Sequence, residues 1–374
     1  MKRVMITGGA GFIGSHLADR LLEKGYDVRV LDSLEPQVHG PSGNPPAYLN
    51  RAVEFIRGDV CDRSAVEQAI EGVQVVFHLA AVVGVAQSMY EIDRYVRSNT
   101  WGTAVLLQAL LDKKSRIEKL VVASSMSLYG EGEFRCNVHG PVLVTERPFE
   151  QLQHHRWEPE CPACGKPLNP APTRETKLLY PTSVYALTKK DQEELALIFG
   201  RSYGIPVVAL RYFNVFGSRQ AVSNPYTGAA AIFAARLLNR RRPLIFEDGG
   251  QLRDFVHVSD IARANILAME KSGADGKAVN IGAGRSISVL QIARELTALL
   301  GREGIEPEFP GSFRKGDIRH CFADIALARE WLGYEAQCSF MDGMRETVEW
   351  MLNQKAEDRV DHSLQELKSR GLTE

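Results

Sequence analysis

The stretch TGGAGFIG, residues 7–14, decides the fold. It follows the apolar run 4–6 and opens an amphipathic stretch at 13–24. Glycines at positions 8, 11 and 14 allow a tight turn, and they let the backbone approach a pyrophosphate at the N-terminus of the next helix. The stretch therefore predicts a strand, a glycine-rich turn and a helix that together bind a dinucleotide.

Two acidic residues follow later strands and bear on the choice of cofactor. Asp32 ends the second predicted strand, where a carboxylate accepts hydrogen bonds from both adenosine ribose hydroxyls and repels a 2'-phosphate. NAD is therefore expected rather than NADP. Asp59, after the third predicted strand, has two interpretations: a contact to the adenine, or an N-cap of the helix that starts near Ser64.

The rest of the chain continues the alternation of short β-branched runs and longer amphipathic stretches. Further strands are predicted at 27–31, 53–56, 75–77, 120–123 and 207–210, and helices near 100–111, 229–240 and 258–269. This alternation is typical of an α/β protein, here a Rossmann-type doubly wound parallel sheet with a smaller C-terminal α/β substrate domain. Expected units are an NAD-binding domain at 1–215 with an insert at about 131–178, a substrate domain at 216–352 with chain crossings between the two, and a peripheral polar tail at 353–374.

The insert is proline-rich, lacks a clear sequence period and carries three of the six cysteines. Cys136 and His139 form one pair with two residues between them, and Cys161 and Cys164 form another. Three thiolates and an imidazole suit a structural, tetrahedral zinc site. His154 or His155 could replace His139, and unpaired thiols in a flexible loop are the alternative.

Bulk composition predicts a soluble protein without a nucleic-acid or membrane partner. Lys and Arg number 45 against 46 Asp and Glu, which gives a formal charge of -1. No apolar run is long enough to span a bilayer, and the first residues do not resemble a secretion signal. A cytoplasmic location is expected, where cysteines are free thiols or metal ligands rather than disulfides.

Tyr185 and Lys189 lie four residues apart on a predicted helix and therefore on one face. A lysine beside a phenol stabilises the phenolate, which can then take a proton from a substrate hydroxyl. Taken alone, such a pair is typical of a solvated helix surface.

Further stretches occur in order along the chain: HLAA at 78–81, NTWGT at 99–103, SSMSLYG at 124–130, YALTK at 185–189, RYFNVFG at 211–217, RDFVHV at 253–258 and RKGD at 314–317. Together with residues 7–14 they resemble the extended short-chain dehydrogenase/reductase family, in particular its NAD-dependent nucleotide-sugar epimerase and dehydratase branch. The resemblance covers about residues 1–350 without the insert. The SMSLYG stretch followed by a Cys/His insert is similar to proteins of the dTDP-L-rhamnose 4-epimerase type.

The resemblance implies roles for individual residues. Ser125, Tyr185 and Lys189 would be catalytic, with Lys189 also holding the nicotinamide ribose. The implied NAD contacts are Gly8, Gly11, Phe12, Ile13, Gly14, Asp32, Asp59, Val60, Leu79, Ala80, Ala81, Asn99, Tyr185 and Lys189. The implied contacts to a nucleotide-diphosphate sugar are Val85, Ser127, Asn214, Arg253, Arg314 and Asp317, although each arginine could instead form a surface salt bridge. The resemblance also implies a homodimer, with the helices near Thr100 and Lys190 as its interface.

The residues after Ser125 reduce the number of reaction types that fit the chain. Dehydratases and decarboxylases of the family carry an acid there, whereas this chain has Met126 and Ser127. The resemblance then implies a 4-epimerase that oxidises the sugar to a 4-keto form and reduces it on the opposite face, with dTDP-L-rhamnose or a related dTDP- or UDP-hexose as substrate. Alternatives are a sugar dehydrogenase or 4-keto-sugar reductase with exchangeable NAD(P)H, and a silent NAD-binding regulator. Because the insert lies between Ser125 and Tyr185, it is expected to form a wall or lid over the sugar.

Overall fold

The computed structural model describes residues 2–113, 117–221, 223–224, 226, 228–314, 316–354, 358 and 360–373. Lys315 of the RKGD stretch and residues 355–357, 359 and 374 of the tail lie outside the described residues.

Short strands and longer helices alternate along most of the chain. The strands are β1 (Arg3–Thr7), β2 (Asp27–Asp32), β3 (Glu54–Arg57), β4 (Val75–His78), β5 (Lys119–Ser125), β6 (Glu133–Cys136), β7 (Gly140–Val142), β8 (Asn169–Ala171), β9 (Val207–Tyr212), β10 (Asn214–Phe216), β11 (Leu252–Arg253), β12 (Phe255–His257), β13 (Lys277–Ile281), β14 (Ile287–Ser288) and β15 (His320–Cys321). The helices are α1 (Phe12–Glu23), α2 (Pro36–His39), α3 (Arg63–Ala69), α4 (Val85–Ser88), α5 (Ile92–Tyr95), α6 (Gly102–Asp112), α7 (Phe149–Gln153), α8 (Val184–Tyr203), α9 (Ala229–Leu238), α10 (Val258–Glu270), α11 (Val289–Leu299), α12 (Ala326–Leu332), α13 (Phe340–Leu352) and α14 (Val360–Ser369). A π-helical segment at Val96–Trp101 joins α5 to α6, and a 3-10 turn at Met126–Tyr129 follows β5.

The main sheet contains seven parallel strands within the described residues, in the order β13-β9-β5-β4-β1-β2-β3. Its central strands are apolar and fully buried, as expected where helices cover both faces of a parallel sheet. Strand order reverses between β1 and β4, and loops at the carboxyl ends of the strands bind ligands at such a switch point. The Rossmann-type α/β fold expected from the sequence is confirmed.

The C-terminal part of the chain also contributes to the main sheet. Strand β13 pairs with β9, and helix α10 packs on α1. Two small sheets lie outside it, one of β10 and β12 and one in the order β14-β11-β15. The chain thus crosses between its two halves, and the domain boundary at residue 215 stays a prediction. In the described part of the chain, no helix has both the length and the apolar character that crossing a membrane requires.

The insert forms an antiparallel sheet in the order β7-β6-β8. Its apolar cluster is small: Phe134, Cys136, Val144, Cys161 and Leu168. Both ends of the insert bond to the segment around β15. Gly132 N donates to His320 O at 2.7 Å, and Thr173 N donates to Phe322 O at 2.8 Å. This pairing directs the insert towards residues 320–324.

The tail folds back onto the molecule through α14. Val360 and Leu367 are buried, and Arg236 Nη1 lies 2.7 Å from Asp361 Oδ1. Thr373 forms an isolated β-bridge with Arg314. The tail was expected to be a frayed or peripheral helix; a helix is present, and it packs against the molecule, while the boundary at residue 353 stays a prediction.

Candidate active site

The glycine turn after β1 is closely packed. Gly8 has a φ of +69°, and a Cβ there would lie 2.9 Å from Cα of Ala80. A Cβ on Gly14 would lie 2.4 Å from Gly8 O. Helix α1 follows Gly11, and no side chain caps its first backbone N–H groups. These free donors at a helix N-terminus fit a dinucleotide pyrophosphate.

The carboxylate of Asp32 is held at the end of β2. It accepts hydrogen bonds from Ala10 N at 3.0 Å and from Leu34 N at 2.9 Å. Asp59 accepts a bond from Cys61 N at 2.8 Å, whereas the N-cap of α3 is Asp62. The helix-cap interpretation of Asp59 is therefore wrong, because Asp62 fills that position.

Tyr185 and Lys189 lie in the first two turns of α8, which begins at a cap where Ser183 accepts a bond from Ala186 N. The Ser125 hydroxyl at the end of β5 hydrogen-bonds to the Tyr185 phenol and lowers its pKa, although burial, the larger effect, raises it. Ser127 Oγ in turn donates to Ser125 Oγ at 2.9 Å. Two hydroxyls, those of Ser125 and Ser127, thus lie on the cavity side of the phenol.

Lys189 is almost fully buried, and its ammonium donates to Gln192 Oε1 at 2.6 Å. Burial lowers the pKa of Lys189 to about 7, and the nearby Glu193 carboxylate partly opposes this shift. The protonation state of Lys189 therefore depends on any ligand that binds beside it.

Gln192 and His78 support Lys189, and sequence patterns did not indicate their roles. Gln192 Nε2 donates to Thr103 Oγ1 at 2.9 Å and lies 3.2 Å from His78 Nε2. Burial lowers the pKa of His78 to about 3, so the ring is neutral. The spacing of Lys189 and Gln192 on one helix face was the available signal.

Asn99 lies behind the wall of the cavity, within the π-helical segment. Its Nδ2 donates to Thr188 Oγ1 at 3.0 Å and to Val82 O at 3.1 Å, and its Oδ1 accepts from Val82 N at 2.8 Å. The structure therefore does not bring Asn99 to the cofactor side of the cavity, where the sequence predicted a contact. Instead, Asn99 joins the loop after β4 to the helix that carries Tyr185 and Lys189.

A cavity of about 680 Å³ lies over the carboxyl ends of the main strands. The other predicted cofactor residues line it: Gly8, Gly11, Phe12, Ile13, Gly14, Asp32, Asp59, Val60, Leu79, Ala80, Ala81, Tyr185 and Lys189. Ser125 lines it together with the predicted substrate contacts Val85, Ser127, Asn214, Arg253, Arg314 and Asp317. One continuous cavity thus brings together the glycine turn, the Tyr/Lys pair and the two arginines.

The arginines lie on the wall formed by β11 and the segment before β15. Arg314 Nη2 is 3.0 Å from Asp317 Oδ2, and Arg314 also lies over the Phe246 ring at 4.7 Å. The Arg253 guanidinium donates to backbone carbonyls, including Ile318 O at 2.6 Å. Both side chains belong to the cavity rather than to open surface. Asn214 Oδ1 on the same cavity is buried without a hydrogen-bond partner among the described residues.

The cavity has a wall that the sequence did not indicate. Val360, Leu364, Leu367 and Leu372 of the tail line it. Their first three positions recur at helical spacing, which was the available signal. In contrast, no described residue of 131–178 lines the cavity. The expectation that the insert forms a wall or lid over the sugar is therefore wrong.

The four predicted metal ligands meet at one place in the insert. Cys136 Sγ lies 3.7 Å from Cys164 Sγ and 3.6 Å from His139 Nδ1, and Cys161 Sγ lies 3.4 Å from the same nitrogen. All four ligand atoms lie within 4.8 Å of one another. Neither His154 nor His155 belongs to this group. Tetrahedral zinc with one nitrogen and three sulfur ligands has edges of about 3.5–3.8 Å, so the arrangement fits that ion.

The chain is similar in sequence and structure to known nucleotide-sugar 4-epimerases. The chain is 32% identical over 352 residues to a dTDP-L-rhamnose 4-epimerase of Burkholderia thailandensis, covering 94% of this chain and 95% of that protein. A UDP-glucose 4-epimerase of Thermotoga maritima, solved with UDP-glucose, superposes with a TM-score of 0.76 at 35% identity, covering 94% and 98% of the two chains. A UDP-glucuronic acid 4-epimerase of Bacillus cereus, solved with UDP-glucuronic acid and NAD, has a TM-score of 0.76 at 28% identity, covering 94% and 99%.

Residues 4–151 and 161–282 match the NAD dependent epimerase/dehydratase family. The match contains the glycine turn, the Ser/Tyr/Lys set and Arg253, the first of the two predicted diphosphate contacts. The chain therefore belongs to the NAD dependent epimerase/dehydratase family and is an enzyme of that family.

Proposed function

We propose that the protein is an NAD-dependent 4-epimerase of nucleotide-diphosphate sugars. The observation that carries the proposal is the placement of Ser125, Tyr185 and Lys189 on the same cavity as the glycine turn. Solved 4-epimerases with UDP-sugars, one of them also with NAD, superpose on nearly the whole chain, which supports the same assignment.

NAD would be held by the glycine turn, by Asp32 and by Lys189. The turn offers uncapped backbone N–H groups for the pyrophosphate, and Asp32 is positioned for the adenosine ribose. Bound NAD supplies a hydride acceptor and donor for carbon 4 of the sugar.

The side chains of the protein move the proton. The Tyr185 phenolate takes a proton from the 4-hydroxyl, and the Ser125 hydroxyl hydrogen-bonds to the phenol and can share that proton. The Lys189 ammonium, oriented by Gln192, stabilises the negative charge of the phenolate. After the 4-keto sugar turns over, the same groups would return the proton to the 4-oxygen as the hydride is restored to the opposite face of carbon 4.

Arg253 and Arg314 would grip the diphosphate, since guanidinium groups bind phosphate oxygens with two parallel hydrogen bonds. Asn214, whose side-chain oxygen has no hydrogen-bond partner among the described residues, would add a polar contact, and Val85 and Ser127 would border the sugar. The similarity to a dTDP-L-rhamnose 4-epimerase supports dTDP-L-rhamnose as substrate, with UDP-hexoses and UDP-hexuronic acids as the rivals.

Elimination and decarboxylation are disfavoured by the residues beside Ser125. Met126 and Ser127 follow it, and neither can supply a carboxylate for a second proton transfer. The acidic residues of the described cavity lining lie elsewhere: Asp32 and Glu35 at the end of β2, Asp59 after β3, and Asp317 beside Arg314.

Zinc is proposed as a structural cofactor held by Cys136, His139, Cys161 and Cys164. The ligand distances fit a tetrahedral ion, and the backbone N–H groups of Val138 and Ala163 donate to Cys136 and Cys161 sulfurs, as expected around thiolates. Burial of the small apolar cluster offsets little of the conformational entropy that the insert loses on folding. A bound ion would supply the remaining free energy that orders the insert.

A homodimer is proposed through α8 and the segment leading into α6. Leu187 and Ile198 lie three turns apart on one face of α8, and both are about half exposed. Trp101, at 58% exposed, lies on the neighbouring helix. Several large apolar side chains exposed on adjacent helices indicate a protein interface.

The function can be tested by incubating the purified protein, without added cofactor, with a panel of dTDP- and UDP-sugars and following the sugar proton NMR couplings. We expect conversion of one sugar into its 4-epimer, because a retained NAD makes the reaction redox-neutral. The Tyr185→Phe variant is expected to retain NAD and to lose about 10²–10⁴-fold in kcat, the usual contribution of a general base. Turnover that requires added NAD(H) or NADP(H) would instead identify a dehydrogenase or reductase.

A further inference from the structure

The insert lies behind the cavity wall that carries the two arginines. The strand β6 brings Phe134 against the His320 ring, with the ring centroids 6.0 Å apart. The opposite side of the segment 314–320 faces the cavity through Arg314 and Asp317. The insert therefore touches the back of a wall whose front is proposed to bind diphosphate.

A buried charge network joins the insert to this wall. Its members are Glu131, Arg147 and Glu158 from the insert, and Glu247, Asp248, Arg319 and His320 from outside it. Arg147, Glu131, Glu247 and Arg319 have side chains no more than 3% exposed. Removing one partner from such a buried network leaves an unpaired charge, so its geometry is strongly fixed.

The network contacts the backbone that carries the cavity residues. Arg147 Nη2 donates to Asp317 O at 3.0 Å and to Glu247 Oε1 at 2.8 Å. Arg147 Nη1 donates to Trp157 O. Glu131 Oε1 accepts from Arg319 N at 2.7 Å. The segment is held from the cavity side by Arg253, which donates to Ile318 O.

The four Cys/His ligands join the two parts of the insert that reach this network. Cys136 lies on β6 with Phe134, whereas Cys161 lies in the loop that carries Glu158. Glu158 Oε1 accepts from Arg319 Nη2 at 2.7 Å, and Glu158 Oε2 lies 2.7 Å from His320 Nε2. An ion that holds Cys136 to Cys161 and Cys164 thereby fixes both contacts to Arg319 and His320.

We propose that the insert is a zinc-ordered buttress that, through the buried charge network, positions Arg253, Arg314 and the Asp317 carboxylate that orients Arg314, so that the two guanidinium groups meet the diphosphate of the substrate. The inference rests on the proposed function, since it assigns the diphosphate to this wall. Arg147 and Glu158 act as positioning residues, because they touch the wall and do not line the cavity. Ser125, Tyr185 and Lys189 lie on elements outside the network, so the buttress sets substrate affinity rather than the chemical step.

The test compares zinc-loaded wild-type protein, chelator-treated protein and the Cys164→Ser variant, with Cys338→Ser as the control cysteine outside the cluster. Dissociation constants of dTDP and UDP are measured by calorimetry, and kcat and KM are measured with the substrate found in the sugar panel. We expect loss of zinc to raise the dissociation constant and KM about tenfold, within the usual range for coupled sites, and to leave kcat within about twofold.

A milder pair of variants avoids disruption of the metal site. Glu158→Gln removes the charge that faces Arg319 and His320, whereas Glu160→Gln, two residues away, removes an ion pair with Arg156 outside the network. We expect Glu158→Gln to weaken nucleoside diphosphate binding several-fold with zinc content unchanged, and Glu160→Gln to bind like the wild type.

Unchanged dTDP and UDP affinity after zinc loss would overturn the buttress, as would a fall in kcat at unchanged affinity. A wild-type protein that binds neither diphosphate would instead overturn the proposed function, so the two failures are distinguishable.

Discussion

At the scale of single residues, the acidity of the Tyr185 phenol depends on two opposing effects. Burial raises its pKa, and the hydrogen bond from Ser125 lowers it. A phenolate base works only above its pKa, so activity should rise with pH through that value. Ser125 is therefore expected to move the acidic limb of the rate profile to lower pH, against the larger effect of burial.

The Ser125→Ala variant tests this dependence. Without the hydrogen bond the phenol pKa rises, so the acidic limb of the kcat profile should move to higher pH and kcat at neutral pH should fall at least about 10²-fold. The Ser127→Ala variant loses the Oγ donor to Ser125 Oγ and a side chain proposed to border the sugar, but keeps Ser125 itself, so it is the graded comparison and should shift the limb less. A limb that stays in place in Ser125→Ala would exclude Ser125 from the proton chain.

At the scale of elements, the insert and the main sheet depend on different forces. The sheet is stabilised by buried apolar strands, whereas the insert has one small apolar cluster and the four Cys/His ligands. Elements with few buried contacts open with a lower free energy than the core. Metal removal should therefore loosen the insert before it affects the sheet.

Hydrogen exchange followed by mass spectrometry measures this difference. Chelation should raise the exchange of β6, β7 and β8 and leave β5 and α8 protected, because neither of the latter contacts the ligands. One zinc per chain before treatment and none afterwards is the expected metal content. Equal exchange in β6 with and without the metal would show that the insert does not need the ion.

At the scale of the whole molecule, the exposed apolar face of α8 predicts the oligomeric state. Ile198→Asp places a charge in the proposed interface, and we expect it to convert a dimer into a monomer by light scattering, since a desolvated unpaired charge opposes association. Leu143→Asp, with 59% exposure on the insert, is the matched control and should remain dimeric. A wild-type monomer at micromolar concentration would contradict the interface.

The fold could be predicted from the sequence because its signals are local. The turn at 7–14 and the alternation of strand and helix periods define the Rossmann sheet, and Ser125, Tyr185 and Lys189 follow from motifs on those elements. The placement of the insert could not be predicted this way. Gly132 pairs with His320, which lies 188 residues further along the chain. The residues near Gly132 in the sequence, such as Ser125, do not predict that contact. The docking of the tail also depends on pairs that are far apart in the sequence, such as Arg236 with Asp361, 125 residues apart.

The positions of β1 and of the tail have a practical consequence for purification. Strand β1 starts at Arg3 on the amino side of a parallel sheet, opposite the cavity. The tail ends against Arg314, and Leu367 and Leu372 border the cavity. A tag placed ahead of β1 leaves the binding site untouched, whereas one inserted next to Thr373 lies beside it. Shortening the chain at Leu352 would remove part of the pocket, so affinities should be measured with residues 360–373 retained.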